Sequence, residues 1–140
     1  KAVEVNPKSA TSLFGLAVAQ NKLKKKPDAA ESLKRANALD GNSINVNLLL
    51  GIIQRDLKRY SEAEKTLVKA KTLSDNKQPD VNWQLANLYY YNLKKLRQAA
   101  IELNYYLKNL SKNERKQNPQ MVKSIKKLIK KIRLEADAAS

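Results

Sequence analysis

Residues 13–36, LFGLAVAQNKLKKKPDAAESLKRA, read against residues 47–70, NLLLGIIQRDLKRYSEAEKTLVKA, decide the fold. At a spacing of 34 the two stretches match at Leu16 and Leu50, Ala17 and Gly51, Gln20 and Gln54, and Leu23 and Leu57. They match again at Ala29 and Ala63, Leu33 and Leu67, and Ala36 and Ala70, while Asn47 stands opposite Leu13. A third copy, spaced by 36, carries Trp83, Ala86, Asn87, Tyr90, Leu93, Ala99, Leu103 and Tyr106 at the corresponding places. A fixed period of this length marks stacked supersecondary units, each of which leaves an apolar face for its neighbour to cover.

Working outward, the spacing of apolar residues predicts helices in pairs. Leu13, Phe14, Leu16, Ala17 and Val18 suit a helix over 9–23 that is buried on more than one side. Pro27 then opens a second helix in its first turn, with Ala29, Ala30, Leu33, Ala36 and Leu39 as the inward stripe. Asp40 to Ser43 make a turn, and Asn42 or Ser43 can cap the next helix. The second pair is expected over 44–57 and 61–73, with Ser61 and Glu64 as a capping box, and the third over 79–93 and 97–110. A last helix over about 119–136 stands outside the period. Gly15 and Gly51 fall inside helices, where close packing would explain them. Ala2, Val5 and Pro7 repeat the spacing of Ala36, Leu39 and Gly41, so residues 1–7 are expected to be the end of a preceding repeat with an open interface that could support self-association.

The pattern resembles the tetratricopeptide repeat (TPR), a helix-turn-helix with large and small residues at fixed places. That resemblance covers residues 1–110 and implies an all-α, right-handed α-solenoid of antiparallel helix pairs. The repeats would lie at about 10–43, 44–79 and 80–115, within 8–110 for their matching part, and a basic amphipathic helix at 117–137 would cap them. Asn47, Asn87 and Tyr106 depart from the family's usual apolar or small residues. In this family the first helix of each pair lines a concave binding surface. The resemblance therefore implies a groove of Phe14, Val18, Leu48, Ile52, Leu88 and Tyr91, bordered by Asn21, Arg55 and Asn92. Members that clamp the acidic ends of chaperones use Lys, Asn and Arg at places that here hold Phe14, Val18, Leu49, Val81 and Leu85, which argues against that activity.

Composition narrows the function further. The chain has no cysteine and no histidine, which removes disulfides, thiolate and imidazole metal sites, and triads that need an imidazole base. There is no glycine-rich phosphate loop and no converging pair of carboxylates, so the expectation is a protein without catalysis or cofactor. No apolar run reaches the roughly 20 residues that span a bilayer.

The net charge is +15, and residues 111–140 hold nine basic and three acidic residues of that balance. Lys123, Lys126, Lys127, Lys130, Lys131 and Arg133 fall on one side of the last helix, and Val122, Ile125, Leu128, Ile129 and Ile132 on the other. Such a helix caps the array, or else meets anionic lipid or nucleic-acid phosphates. Tyr89, Tyr90 and Tyr91 are consecutive and are expected to point apart, which disfavours a stacking platform for bases. The sequence thus supports an interaction scaffold for a protein, peptide or helix, with an electrostatic anchor to nucleic acid or membrane as the alternative.

Overall fold

The computed structural model describes residues 9–139, so the expectation for residues 1–7 lies outside the described residues. Eight α-helices and one π-helical segment are present among them, with no strand. They are α1 (Ala10–Lys22), α2 (Lys26–Leu39), α3 (Ile44–Asp56), α4 (Tyr60–Leu73), α5 (Pro79–Asn87) with the π-helical segment Leu88–Asn92, α6 (Leu96–Asn109), α7 (Lys112–Gln117) and α8 (Pro119–Ala139). Two compact units divide the chain between Leu73 and Ser74.

In the first unit α1 pairs with α2, α3 pairs with α4, and α2 packs on α3. Helices α1 and α3 start where a serine side chain satisfies an exposed N–H group of the first turn. Ser9 accepts from the Ser12 amide at 3.0 Å and Ser43 from the Val46 amide at 3.2 Å, two caps 34 residues apart. Each pair turns through a left-handed lysine, Lys24 and Lys58, both at φ 62°. Leu13, Ala17, Ala29, Ala30, Leu33 and Ala36 bury together with Val46, Leu50 and Ile53. Small residues let the helices of a pair approach closely, and the leucines fill the space between pairs. Asn47, set among these apolar residues, is fully buried but satisfied: its Nδ2 donates to the Ser43 carbonyl at 2.8 Å, and its amide is paired with that of Asn37 at 3.2 and 3.3 Å.

In the second unit α5 and its π-helical extension pair with α6, and α8 lies along α6. Ala100, Leu103 and Leu107 of α6, with Leu110 just after it, meet Ile125, Ile129 and Ile132 of α8, so the last helix buries its apolar stripe as expected of a cap. A short helix, α7, that the sequence reading lacked precedes it. The capping box forms there and not at Ser61, which lies inside the first turn of α4: Ser111 Oγ accepts from the Glu114 amide at 3.1 Å, and the Glu114 carboxylate accepts from the Ser111 amide at 3.0 Å. Those bonds hold the exposed Glu114 carboxyl below the usual glutamate range.

The third pair departs from the expected register. Val46, Asn47, Leu50, Gly51 and Ile53 are buried in the second pair, and the buried residues of α5 and its extension are Val81, Asn82, Leu85, Ala86 and Leu88, each 35 positions later. After the helix the offset is 36: the left-handed turn residue is Lys94 (φ 55°), opposite Lys58. One extra residue therefore sits in the loop before Pro79, and the other is absorbed inside the helix by the wider π-turn, the usual outcome of a one-residue insertion. Asn82, not Trp83, is the equivalent of Leu13 and Asn47. It is tied by Nδ2 to Asn76 Oδ1 and Glu102 Oε1, both at 2.9 Å, and accepts from Asn109 Nδ2 at 2.8 Å.

Candidate functional site

The shift of register redraws the surface of the third pair. Leu88, expected in the groove, is 0% exposed and belongs to the interior. The extra residue before Pro79 sets it at the place that Ile53 holds in the second pair, on the same helix face as Val81 and Leu85. The residues that correspond to Phe14 and Leu48 and to Val18 and Ile52 are Trp83 and Asn87. Trp83, which the spacing of 36 sets opposite the buried Leu13 and Asn47, is 37% exposed.

These side chains wall a pocket of about 100 Å³ within the second unit. Trp83, Asn87, Tyr90 and Tyr91 form one side, and Leu103 of α6 with Leu128 and Ile132 of α8 form the other. Trp83 leans on Tyr106 with ring centroids 5.1 Å apart and planes at 46°. Tyr90 and Tyr91 meet edge to face at 4.9 Å, although neighbours in a regular α-helix project about 100° apart. Consecutive tyrosines were expected to diverge, and the π-segment is what lets two of them share a wall while Tyr89 turns into the interior. Tyr91 is 57% exposed and Asn92 half-buried. The Asn87 side-chain amide donates back to the Trp83 carbonyl at 2.8 Å, which fixes its orientation.

Tyr106 supports Trp83 from below and donates its hydroxyl to Met121 Sδ at 3.9 Å. Burial, then the nearby Asp80 and Glu114 carboxylates, push its phenol above the ordinary tyrosine value, so it stays protonated and neutral. The pocket is thus apolar and aromatic, with an amide on its rim. Such a lining suits an apolar side chain.

In the first unit Phe14, Val18, Asn21, Leu48, Ile52 and Arg55 are all half-buried, and Phe14 and Leu49 pack partly against the core. Beside Phe14 lies a hollow of about 240 Å³ lined also by Thr11, Asp40 and Asn45. Lys26 Nζ bridges Asn21 Oδ1 and Asp56 Oδ2, at 3.2 Å each, and so organises the polar edge next to Arg55. Lys123, Lys126, Lys127, Lys130 and Lys131 of α8 are all exposed.

No family model matches the chain, and no curated protein matches it. Solved structures do. The chain is similar to the type III secretion chaperone SycD of Yersinia enterocolitica in complex with a peptide of the translocator YopD, with a TM-score of 0.77 and 18% identity over 90% of this chain and 93% of that one. It is similar also to SycD crystallised as an alternative dimer, with a TM-score of 0.75 and 18% identity over 91% and 93% of the two chains. At this identity the likeness shows the fold: an all-helical α-solenoid built from TPR-like helix pairs.

Proposed function

We propose that this chain is a non-enzymatic interaction scaffold that holds a peptide or partner segment, with the aromatic pocket of Trp83, Tyr90 and Tyr91 as its anchor point. The observation that carries the proposal is that pocket: Trp83 and Tyr91 stand exposed on a helical frame beside the half-buried Tyr90, and aromatic anchors that become buried on binding dominate the energetics of peptide and protein interfaces. The fold supports it, since SycD, which shares it, is solved with a translocator peptide bound. Phe14, Val18, Leu48 and Ile52, with Asn21 and Arg55 at their polar edge, are proposed as a second contact region in the first unit. Tyr91 and Asn92 keep their proposed places in the site, and Trp83 takes the place first given to Leu88.

Trp83 is the single tryptophan, so its emission reports on the pocket directly. Peptides enriched from a random display library on the immobilised chain should change Trp83 emission on titration. Tyr91→Ala should weaken the selected peptides by about 2 kcal/mol, the scale of an interface hot spot, with helicity unchanged by circular dichroism. Selected peptides that bind Tyr91→Ala and Ile52→Asp as tightly as the parent chain would remove the proposal.

A further inference from the structure

Helix α8 separates two clefts of opposite chemistry. On one flank, Leu128 and Ile132 face the aromatic pocket. On the other, α8 and α6 enclose two adjoining hollows of about 400 and 290 Å³ that share Arg133. Lys126, Lys130 and Arg133 stand along this second cleft at helical spacings of four and three, so they form one continuous basic edge. Asp137, four residues further on, ends that edge with a carboxylate, which Arg97 from α6 engages at 3.1 Å. The floor is apolar: Ile129 and Ala100 lie at the bottom, and two large side chains, Ile101 (48% exposed) and Leu134 (62% exposed), stand in water at its borders. Neither the scaffold reading nor the cap explains these two, because α8 buries its own stripe elsewhere.

We propose that the α6–α8 cleft docks an amphipathic helix of a partner protein, one whose apolar ridge meets Ile101, Ile129 and Leu134 and whose acidic flank pairs with Lys126, Lys130 and Arg133. Three observations select this occupant. The basic edge repeats at helical spacing over about 10 Å from Lys126 to Arg133, so a helix bearing Asp or Glu at the same spacing can pair with several cations in one register, whereas a strand alternates sides at every residue. The apolar floor distinguishes the cleft from a phosphate track, and none of its lining residues is aromatic, which leaves nucleic-acid bases nothing to stack on. A second copy of this chain would bring a net +15 against a basic edge, which charge complementarity disfavours. The cleft is separate from the aromatic pocket, so this proposal stands or falls independently of the peptide-binding one.

The probe is a labelled synthetic helix with leucines on one face and glutamates on its flanks, titrated into the full chain and followed by fluorescence anisotropy. Because any acidic peptide is attracted to so basic a protein, the decisive comparison is between two variants of equal charge change: Lys126→Glu with Lys130→Glu in the cleft, and Lys24→Glu with Lys25→Glu on the exposed first turn. The cleft pair should weaken binding about tenfold or more and the turn pair much less, since contact pairs contribute more than screened distant charge. Leu134→Asp should weaken it too, and Trp83→Ala should leave it unchanged. A probe with lysine in place of glutamate should recover binding to the cleft variant. All substituted lysines are exposed, and circular dichroism checks that the variants fold. The proposal is overturned by a glutamate helix that fails to bind, by equal weakening in the two double variants, or by anionic vesicles or a DNA duplex binding through Lys126 and Lys130 where the helix does not.

Discussion

Gly15 and Gly51 occupy the middle of two equivalent helices, yet their surroundings make opposite demands. A β-carbon at Gly51 would stand 2.5 Å from both Cγ and Cδ2 of Leu67, which is itself completely buried. At Gly15 nothing lies within 4 Å, and the position faces water. Gly15→Ala should therefore stabilise the chain by about 0.5 to 1 kcal/mol through helix propensity alone. At Gly51 the same propensity gain is opposed by overpacking of about 1 to 3 kcal/mol, so Gly51→Ala should lower stability by about 1 kcal/mol. Urea unfolding midpoints that move in opposite directions would show the difference; two upward shifts would mean that Leu67 can yield. Close packing was expected for both glycines, and holds for one, because the sequence marks a small residue without saying whether a neighbouring helix lies over it. By contrast Ala17, Ala29, Leu33, Ala63 and Leu67 were legible as interior, since each recurs as the same or an equally small residue at the period and on the inward stripe of its helix.

At the scale of elements, starts and stops were readable from local chemistry: Pro27 and Pro79 in first turns, and Ser43 as a cap. The third pair was not, because a spacing of 36 against 34 says that two residues are extra without saying where. Placing both before Trp83 gives a plausible pattern, since it also aligns small or medium residues at Ala86 and Asn87. It slides Trp83 into the core and Leu88 onto the surface, and the structure reverses both. The π-turn can be tested directly. Deleting the exposed Tyr91 restores the 35-residue offset from Val81 through to the turn, so a straight α-helix can bury Val81, Asn82, Leu85, Ala86 and Leu88 at once. This variant should fold cooperatively with stability within about 1 kcal/mol of the parent. Deleting Gln84 removes a residue on the other side, and no straight helix then buries both Asn82 and Leu88, because the segments are rotated by about 100° relative to each other. Its loss of cooperative unfolding, set beside the tolerance of the Tyr91 deletion, would locate the extra residue; equal tolerance would dismiss the insertion.

At the scale of the whole molecule the net +15 is a property of the surface. The lysines of α8 are exposed and so avoid a desolvation cost, but a compact chain holds like charges closer together than an unfolded one does. Favourable pairs such as Lys26 with Asp56 and Arg97 with Asp137 lie at the surface, where each contributes little. Screening should therefore weaken repulsion more than attraction. Raising sodium chloride from about 0.01 M to about 0.15 M shortens the Debye length from about 30 Å to about 8 Å. The thermal midpoint should rise by a few degrees over that range, the shift that about 1 kcal/mol gives in a chain of this size. Specific occupation of the basic cleft would look different from screening: the glutamate helix should raise the midpoint further at fixed ionic strength, in proportion to the logarithm of its concentration once the cleft is saturated. A midpoint that falls with salt would show that the surface pairs outweigh the net repulsion, and would leave the excess of lysine on α8 without a cost for an acidic partner to relieve.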